Sequence, residues 1–328
     1  MHMFYLQAAQ YIGFFGSQVF NGILLFLIYT RARRSFGSYR HVMVIFAMYS
    51  MIYSFIEIIT QPIVIIICPL FAILMNGPLR YQMVFGNILT CLYGACFALC
   101  ISLLAVQFVY RYIAVCRSAL LPKIEDLGLL CLFFPCLICC VIWFFLVYIG
   151  MQNTNDKQLF LKDYMLQFYS ENSTDIAGIA AMYWSINSDG STDYRLGDII
   201  STISCGVILV FCFTSIFLCS VLTYRKMHDV RSSMSERTRE LNRQLFVTLM
   251  LQTILPFFML YIPVGLLISL PIFSINVGAL ANFPAATAAT YPALQPLVAI
   301  FCIADFRKAL SPFRYGKPRV SSQFTENN

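Results

Sequence analysis

Seven apolar stretches of 20 residues or more divide this chain, with polar segments between them. They cover residues 8–29, 41–68, 87–112, 127–150, 197–223, 244–270 and 284–303. At 1.5 Å per residue, a helix of about 20 residues crosses the roughly 30 Å hydrocarbon core of a bilayer. Backbone polar groups in lipid must be satisfied within the protein, which leaves helices or a closed barrel. Barrel strands alternate apolar and polar positions over about ten residues. These stretches are continuous and twice that length. The pattern therefore predicts an all-α membrane protein, one seven-helix bundle over residues 1–310.

The polar segments differ in kind. Residues 30–40 are short and basic. Residues 69–86 form a mid-sized loop marked by the turn signal Asn76-Gly77-Pro78. Residues 151–196 are the longest loop and acidic, with Asp156, Asp163, Glu171, Asp175, Asp189 and Asp193; loops of this length are usually functional or disordered. In residues 224–243, Ser233 and Glu236 have capping-box spacing. Glu236 with Arg239, and Glu240 with Arg243, pair at i,i+3. The sixth helix is thus expected to continue beyond the bilayer as a charged rod, either a solvated end or a partner-contact surface. Asp305 to Leu310 reads as a short amphipathic helix on the membrane surface, ended by Pro312. Residues 311–328 read as a disordered tail.

Composition agrees with the pattern. Hydrophobic residues make up 59% and charged residues 11%, against about 25% charged in soluble domains. Charge then sets the orientation. All but four of the 22 Lys and Arg fall on one side of the predicted bundle, the exceptions being Arg80, Lys157, Lys162 and Arg195. Basic residues stay cytoplasmic, so the N-terminus lies outside and the tail inside. The net charge of +7 is a topology signal rather than a sign of a nucleic-acid partner. Met1 to Gln7 lacks Lys and Arg, which fits a first span inserted N-terminus outward rather than a cleaved signal peptide.

Most of the 13 Cys lie inside the apolar stretches and read as small packing residues. Cys136 and Cys139 have C-x-x-C spacing, but no second pair or His is near them in sequence, which argues against a metal site. Cys68 and Cys91, at the outer ends of the second and third helices, are positioned for a disulfide. No H-E-x-x-H, P-loop or G-x-S-x-G occurs, so an enzyme is not expected, and no cofactor is.

Glu57 is the acidic residue deep inside a span. An ionisable group at that depth is costly and marks a functional site by default; a structural hydrogen-bond hub is the competing reading. Thr90, Tyr93, Phe97 and Ile101 recur at helical spacing on one face of the third helix. Both a ligand wall and plain packing fit that stripe. Tyr261 and Tyr291 are polar-tipped aromatics at comparable depth. Pro256 and Pro263 lie two turns apart on the sixth helix, and Pro292 and Pro296 interrupt the seventh. They suggest a hinge, or only a static bend. Tyr110-Arg111-Tyr112 closes the third helix at the inner face, as an interfacial anchor or as a switch toward an intracellular partner. The sequon Asn172-Ser173-Thr174 falls in the outer acidic loop, so Asn172 is a glycosylation candidate.

The ordered set of local motifs resembles the nematode seven-transmembrane serpentine chemoreceptors of class r, the str family. The similarity rests on Gly37-x-Tyr39, Ile56-Glu57 with Pro62, Ala95-Cys96-Phe97-Ala98 and Phe108-Val109-Tyr110-Arg111-Tyr112. It continues through Ser235-Glu236-Arg237-Thr238-Arg239, Gln244-Leu245-Phe246, Leu251-Gln252-Thr253, Pro256, Tyr291-Pro292, Pro296 and Asp305-Phe306-Arg307. The chain departs from the family pattern at Ile65, Gln107 and Gln295, where the family often carries His, His and Asp.

The resemblance implies a G-protein-coupled receptor in the ciliary plasma membrane of chemosensory neurons, taking a small, often volatile ligand. Glu57, Thr90, Tyr93, Phe97, Tyr261 and Tyr291 would then be the ligand-binding set. Tyr110, Arg111, Tyr112, Arg239 and the four helix prolines would be the switch that meets a heterotrimeric G protein. The competing class is an odour-gated channel or a transporter. A transporter is expected to show internal repeats and coordinating groups at the midplane. Insect odour-gated channels also have seven spans but face the opposite way.

Overall fold

The computed structural model describes residues 2–31, 37–122, 129–186, 189–229 and 235–310. Seven of its helices are long and apolar enough to cross a membrane. The first four spans are α1 (His2–Arg31), α2 (Tyr39–Thr60), α3 (Met83–Cys116) and α4 (Phe134–Gly150). Helix α5 (Asn155–Tyr169) lies in the long outer loop. The fifth span is α6 (Leu196–Asp229). The sixth is α7 (Glu236–Pro256), a π-helical turn (Phe257–Tyr261) and α8 (Ile262–Ser269). The seventh is α9 (Asn282–Cys302), followed by the short α10 (Ala304–Leu310).

Span α3 is the axis of the bundle. Two-thirds of its most apolar window is buried, against 22% for the fourth, fifth and sixth spans. Those three spans turn most of their apolar surface toward lipid, which is why they read as hydrophobic on every face. Spans α1 and α9 meet closely at Gly13, where a Cβ would run into the Ala289 carbonyl.

The second apolar stretch does not continue as helix to residue 68. It stops at Thr60. Gln61 takes a left-handed conformation (φ 44°) and its N–H caps the Glu57 carbonyl. Pro62 next disfavours helix at the residue before it and offers no N–H. The β-branched run that follows becomes β1 (Pro62–Ile67), which pairs antiparallel with β2 (Leu70–Met75). Strand β3 (Gly178–Met182), from the acidic loop, pairs with β2. Gly178 is required where it sits, because a Cβ there would lie 2.5 Å from the Ile73 carbonyl oxygen. The end of the predicted second helix, the start of the mid-sized loop and five residues of the long one thus form one three-stranded sheet over the outer end of the bundle. A second hairpin, β4 (Trp184–Ile186) with β5 (Thr192–Tyr194), lies beside it.

The sheet is buried on both faces. Ile63, Ile65, Leu70 and Leu74 form a core with Leu161 and Met165 of α5, and with Leu267 and Ala285 of the sixth and seventh spans. Asn282 Oδ1 accepts from the Val64 N–H at 2.9 Å. Lys157 of α5 is the staple. Its ammonium donates to the carbonyls of Gln152 (2.9 Å) and Ala180 (2.8 Å) and to the Asp198 carboxylate of α6 (2.6 Å), all out of water. Burial holds that ammonium below its usual lysine range, opposed by Asp198. Cys68 and Cys91, the candidate disulfide between the second and third spans, are both free thiols.

At the inner face, Ser235 caps α7 by accepting from the Thr238 N–H at 3.3 Å. The Ser233 of the expected capping box lies outside the described residues. Of the two expected charge pairs on the rod, Glu240 and Arg243 meet at 3.6 Å. Ala304–Leu310 form the short helix α10, with Phe306 buried and Arg307 and Lys308 exposed. Pro312 and the tail lie outside the described residues.

Candidate functional site

Beneath the sheet lies a cavity of about 240 Å³. Phe71, Ile73 and Ile179 of the sheet roof it. Its walls are Gly94 and Phe97 of α3, Trp143 and Val147 of α4 with Met151, Thr202, Cys205, Gly206 and Leu209 of α6, and Val264, Gly265 and Ile268 of α8. Among these side chains Thr202 carries a hydroxyl, and the rest are apolar, aromatic or sulfur-bearing. The chemistry available is shape and dispersion, with few polar anchors. That suits a small apolar molecule and gives no handle for a charged one.

Of the six candidate ligand residues, Phe97 lines this cavity. Glu57, Thr90, Tyr93, Tyr261 and Tyr291 do not line it. The Tyr53 and Tyr93 rings stack at 5.9 Å and 13°, and Phe97 packs edge-on to Tyr93 at 5.6 Å. Glu57 is buried against these tyrosines. Their hydroxyls face its carboxyl, yet neither carboxyl oxygen has a partner at hydrogen-bond geometry. The Thr90 hydroxyl donates to its own helix at the Gly86 carbonyl, 2.8 Å away. The Tyr291 hydroxyl lies 3.4 Å from Cys100 Sγ. The Tyr261 hydroxyl donates to the Phe97 carbonyl at 3.1 Å. Ile101 is fully buried, one helical turn below Phe97 on α3.

This last bond reaches the hinge region. Tyr261 is the final residue of the π turn that follows Pro256. Its ring and that of Phe257 both pack on Phe213 of α6, at 5.2 and 5.4 Å. The helix prolines leave carbonyls without their usual partner one turn earlier. Pro263 frees the Met259 carbonyl, which accepts from the Thr287 hydroxyl of α9 at 2.9 Å. Pro296 frees the Pro292 carbonyl, which accepts from Asn21 Nδ2 of α1 at 3.1 Å. The prolines thereby create cross-helix bonds, beyond any bend they cause.

The inner face is closed by two latches on α7. Arg111 is buried, and its Nη2 donates to Asn242 at the backbone oxygen (3.1 Å) and at Oδ1 (3.2 Å). Its guanidinium also lies 5.4 Å from the centre of the Tyr39 ring, which packs on Tyr110 at 5.7 Å. Gln244 Oε1 accepts from the Ala304 N–H at the start of α10 (3.1 Å), while its Nε2 donates to Glu240 (2.9 Å). Tyr112 is half-buried, and Arg239 is half-exposed on the first turn of α7. Burial of Arg111 sets it apart from a snorkelling anchor, whose head would reach water.

With the bundle, the buried inner arginine and the apolar cavity in place, comparison with known proteins decides the family. The sequence profile described as "Serpentine type 7TM GPCR chemoreceptor Str" matches residues 6–311. This chain belongs to that family. It is similar to Serpentine receptor class r-10 of Caenorhabditis briggsae, 31% identical over 309 residues, covering 94% of this chain and 90% of that one. It is similar to Serpentine receptor class r-10 of Caenorhabditis elegans, at 30% over 298 residues, with 90% and 87% covered. The G-protein coupled receptor str-33 of C. elegans is 24% identical over 319 residues, with 92% and 89% covered. As a member of the Str family, the chain is a multi-pass membrane protein of the serpentine chemoreceptor type and not an enzyme.

The residues that sequence reasoning missed lie mainly on the fourth, fifth and sixth spans. Thr202, Cys205, Gly206 and Leu209 follow i, i+3, i+4, i+7 spacing, and Trp143, Val147 and Met151 follow i, i+4, i+8. The signal was present. In spans that are apolar on every face, however, nothing in sequence marks which stripe faces a cavity. The sequon Asn172 caps a short 3-10 turn, with its Nδ2 on Asp175 at 3.1 Å.

Proposed function

We propose that this chain is a chemosensory receptor that binds a small, apolar, volatile molecule in the cavity under the sheet and activates a heterotrimeric G protein. It works in the plasma membrane, at the sensory cilium of chemosensory neurons, and carries an N-linked glycan at Asn172. One observation carries the reading. Phe97 lines the cavity, and its carbonyl holds the Tyr261 hydroxyl at the end of the π turn.

A ligand against Phe97 disturbs the α3–Tyr261 bond, and the π turn gives the sixth span a place to bend. Helix α7 then swings away from Arg111 and Ala304, and the inner face opens to the G protein. The ligand shifts this balance only by its differential affinity for the two states. Glu57, Thr90, Tyr93, Tyr261 and Tyr291 act as the layer behind Phe97, shaping its position. Tyr110, Arg111, Tyr112 and Arg239 form the inner contact, and Pro256, Pro263, Pro292 and Pro296 set the bends.

The test is a panel of small volatiles on cells expressing the chain, read by calcium with and without a promiscuous Gα subunit. A response that needs Gα supports the receptor. A response that persists without any G protein would point to an odour-gated channel and sink the coupling role.

A further inference from the structure

The cavity under the sheet is not equally closed on all sides. Phe71 and Ile179 in the roof are buried, as are Phe97, Trp143, Val147 and Met151 toward α3 and α4. The liners on α6 and α8 are different: Gly206 is half-exposed and Gly265 is exposed, though both border the cavity.

These two glycines border the same cavity, one from each side of the seam between α6 and the sixth span. Two turns deeper, Phe213 of α6 sits on Phe257 and Tyr261 of the sixth span and shuts it. Among the described residues nothing comparable fills the space at Gly206 and Gly265, and a Cβ at either would meet no atom within 4 Å. Gly206 lies ten residues past Leu196, about 15 Å along α6 at 1.5 Å per residue. Gly265 lies eight residues before Phe273, the outer end of the sixth span, about 12 Å at the same rise. Both positions are at hydrocarbon depth. Exposed Val207, Ile262 and Leu266 flank them, an apolar rim suited to lipid.

We infer that the ligand reaches the cavity sideways from the bilayer, through a portal between α6 and α8 at Gly206 and Gly265. This rests on the cavity being the ligand site. It deepens that reading by naming the ligand class: uncharged molecules that partition into lipid first and bind second. The sheet closes the direct route from water, so effective concentration at the portal follows membrane partitioning. The outer vestibule beside Tyr183, Trp184 and Thr192, which shares Thr202 with the cavity, is the competing route from water.

The chain has two tryptophans, Trp143 and Trp184, so Trp184→Phe leaves Trp143, at the cavity wall, as the sole reporter. The full chain in lipid nanodiscs is mixed with bromobenzene, a lipid-partitioning heavy-atom quencher, or with aqueous iodide. Quenching is counted as the excess over a Cys205→Phe variant, which fills the cavity. Gly206→Phe/Gly265→Phe is expected to slow bromobenzene quenching about tenfold, equivalent to ~1.4 kcal/mol of added barrier, with iodide ineffective throughout. Gly206→Ala/Gly265→Ala, which keeps the portal open, should quench at the parent rate and controls for folding. An unchanged rate in the Phe pair overturns the portal, and quenching by iodide assigns access to the vestibule. If the parent shows no excess over Cys205→Phe, the cavity takes no apolar molecule. The ligand site proposed above then fails, a result distinct from failure of the portal alone.

Discussion

Arg111 of the third span holds Asn242 of the sixth by two hydrogen bonds from one nitrogen, at 3.1 Å to the backbone oxygen and 3.2 Å to the side-chain oxygen. The bonds join the two helices that must part if the inner face is to open. Hydrogen bonds to charged groups contribute about 1.5–3 kcal/mol each. Losing the side-chain bond in Asn242→Ala should therefore raise basal signalling by about tenfold, since ~1.4 kcal/mol is a factor of ten in an equilibrium. Arg111→Ala should instead abolish ligand-driven signalling with normal surface expression, if the proposed G-protein contact uses the same group. Basal and stimulated second-messenger levels, normalised to surface protein, check both; retained signalling in Arg111→Ala would remove the switch role.

The π turn makes a second expectation. Pro263 denies the Met259 carbonyl its helical partner, and Thr287 supplies another from α9. Pro263→Ala lets the helix close its own bond and should straighten the sixth span, cutting the maximal response several-fold. Pro256→Ala should shift the basal level. Unchanged basal levels and dose responses in both variants would leave the prolines with a purely static part.

Phe97 and Glu57 separate the two readings of the buried cluster. Phe97→Ala removes a cavity wall and should weaken ligand potency by tenfold or more, about 1.4 kcal/mol of lost contact, measured at matched surface level because Phe→Ala in a packed interior also costs about 3–5 kcal/mol of stability. Glu57→Gln keeps the shape of a group that faces Tyr53 and Tyr93 and does not line the cavity, so potency should stay within about threefold, well under the ~1.4 kcal/mol of a tenfold change. A large potency loss in Glu57→Gln at normal surface level would place the carboxyl in ligand contact.

Lys157 should be the most damaging single position in the outer loop. Lys157→Met strands the buried Asp198 carboxylate, a change that costs about 3–5 kcal/mol. Thermal unfolding in detergent should drop and surface expression should collapse. Burial already holds the Lys157 ammonium below its usual range, so desolvation weighs heavily in this pair. Replacing both partners, Lys157→Met with Asp198→Leu, should therefore recover most of the loss. A double variant no better than the single one would show that the carbonyl contacts at Gln152 and Ala180 dominate.

Hydropathy alone determined the number of spans, because a bilayer demands one long apolar helix per crossing whatever the neighbours are. Charge alone determined the orientation, because basic loops stay inside. Tyr110-Arg111-Tyr112 does not close the third helix as expected, because α3 runs on to Cys116; the lone charge among apolar residues marks Arg111 in the sequence, and its burial against Asn242 came only from packing. Residues 61–75 were misjudged, because an Ile-rich run reads alike as buried strand and as membrane helix; Pro62 and the left-handed Gln61 settled it as a strand only with β2 and β3 alongside. Partnerships across the chain were beyond the sequence. That Asn242 meets Arg111, that Lys157 ties α5 to β3 and α6, and that Gly206 and Gly265 border one cavity all depend on how α3, α6 and the sixth span pack. Rotating an all-apolar helix in lipid costs little by itself, so its facing is fixed only by the side chains it meets.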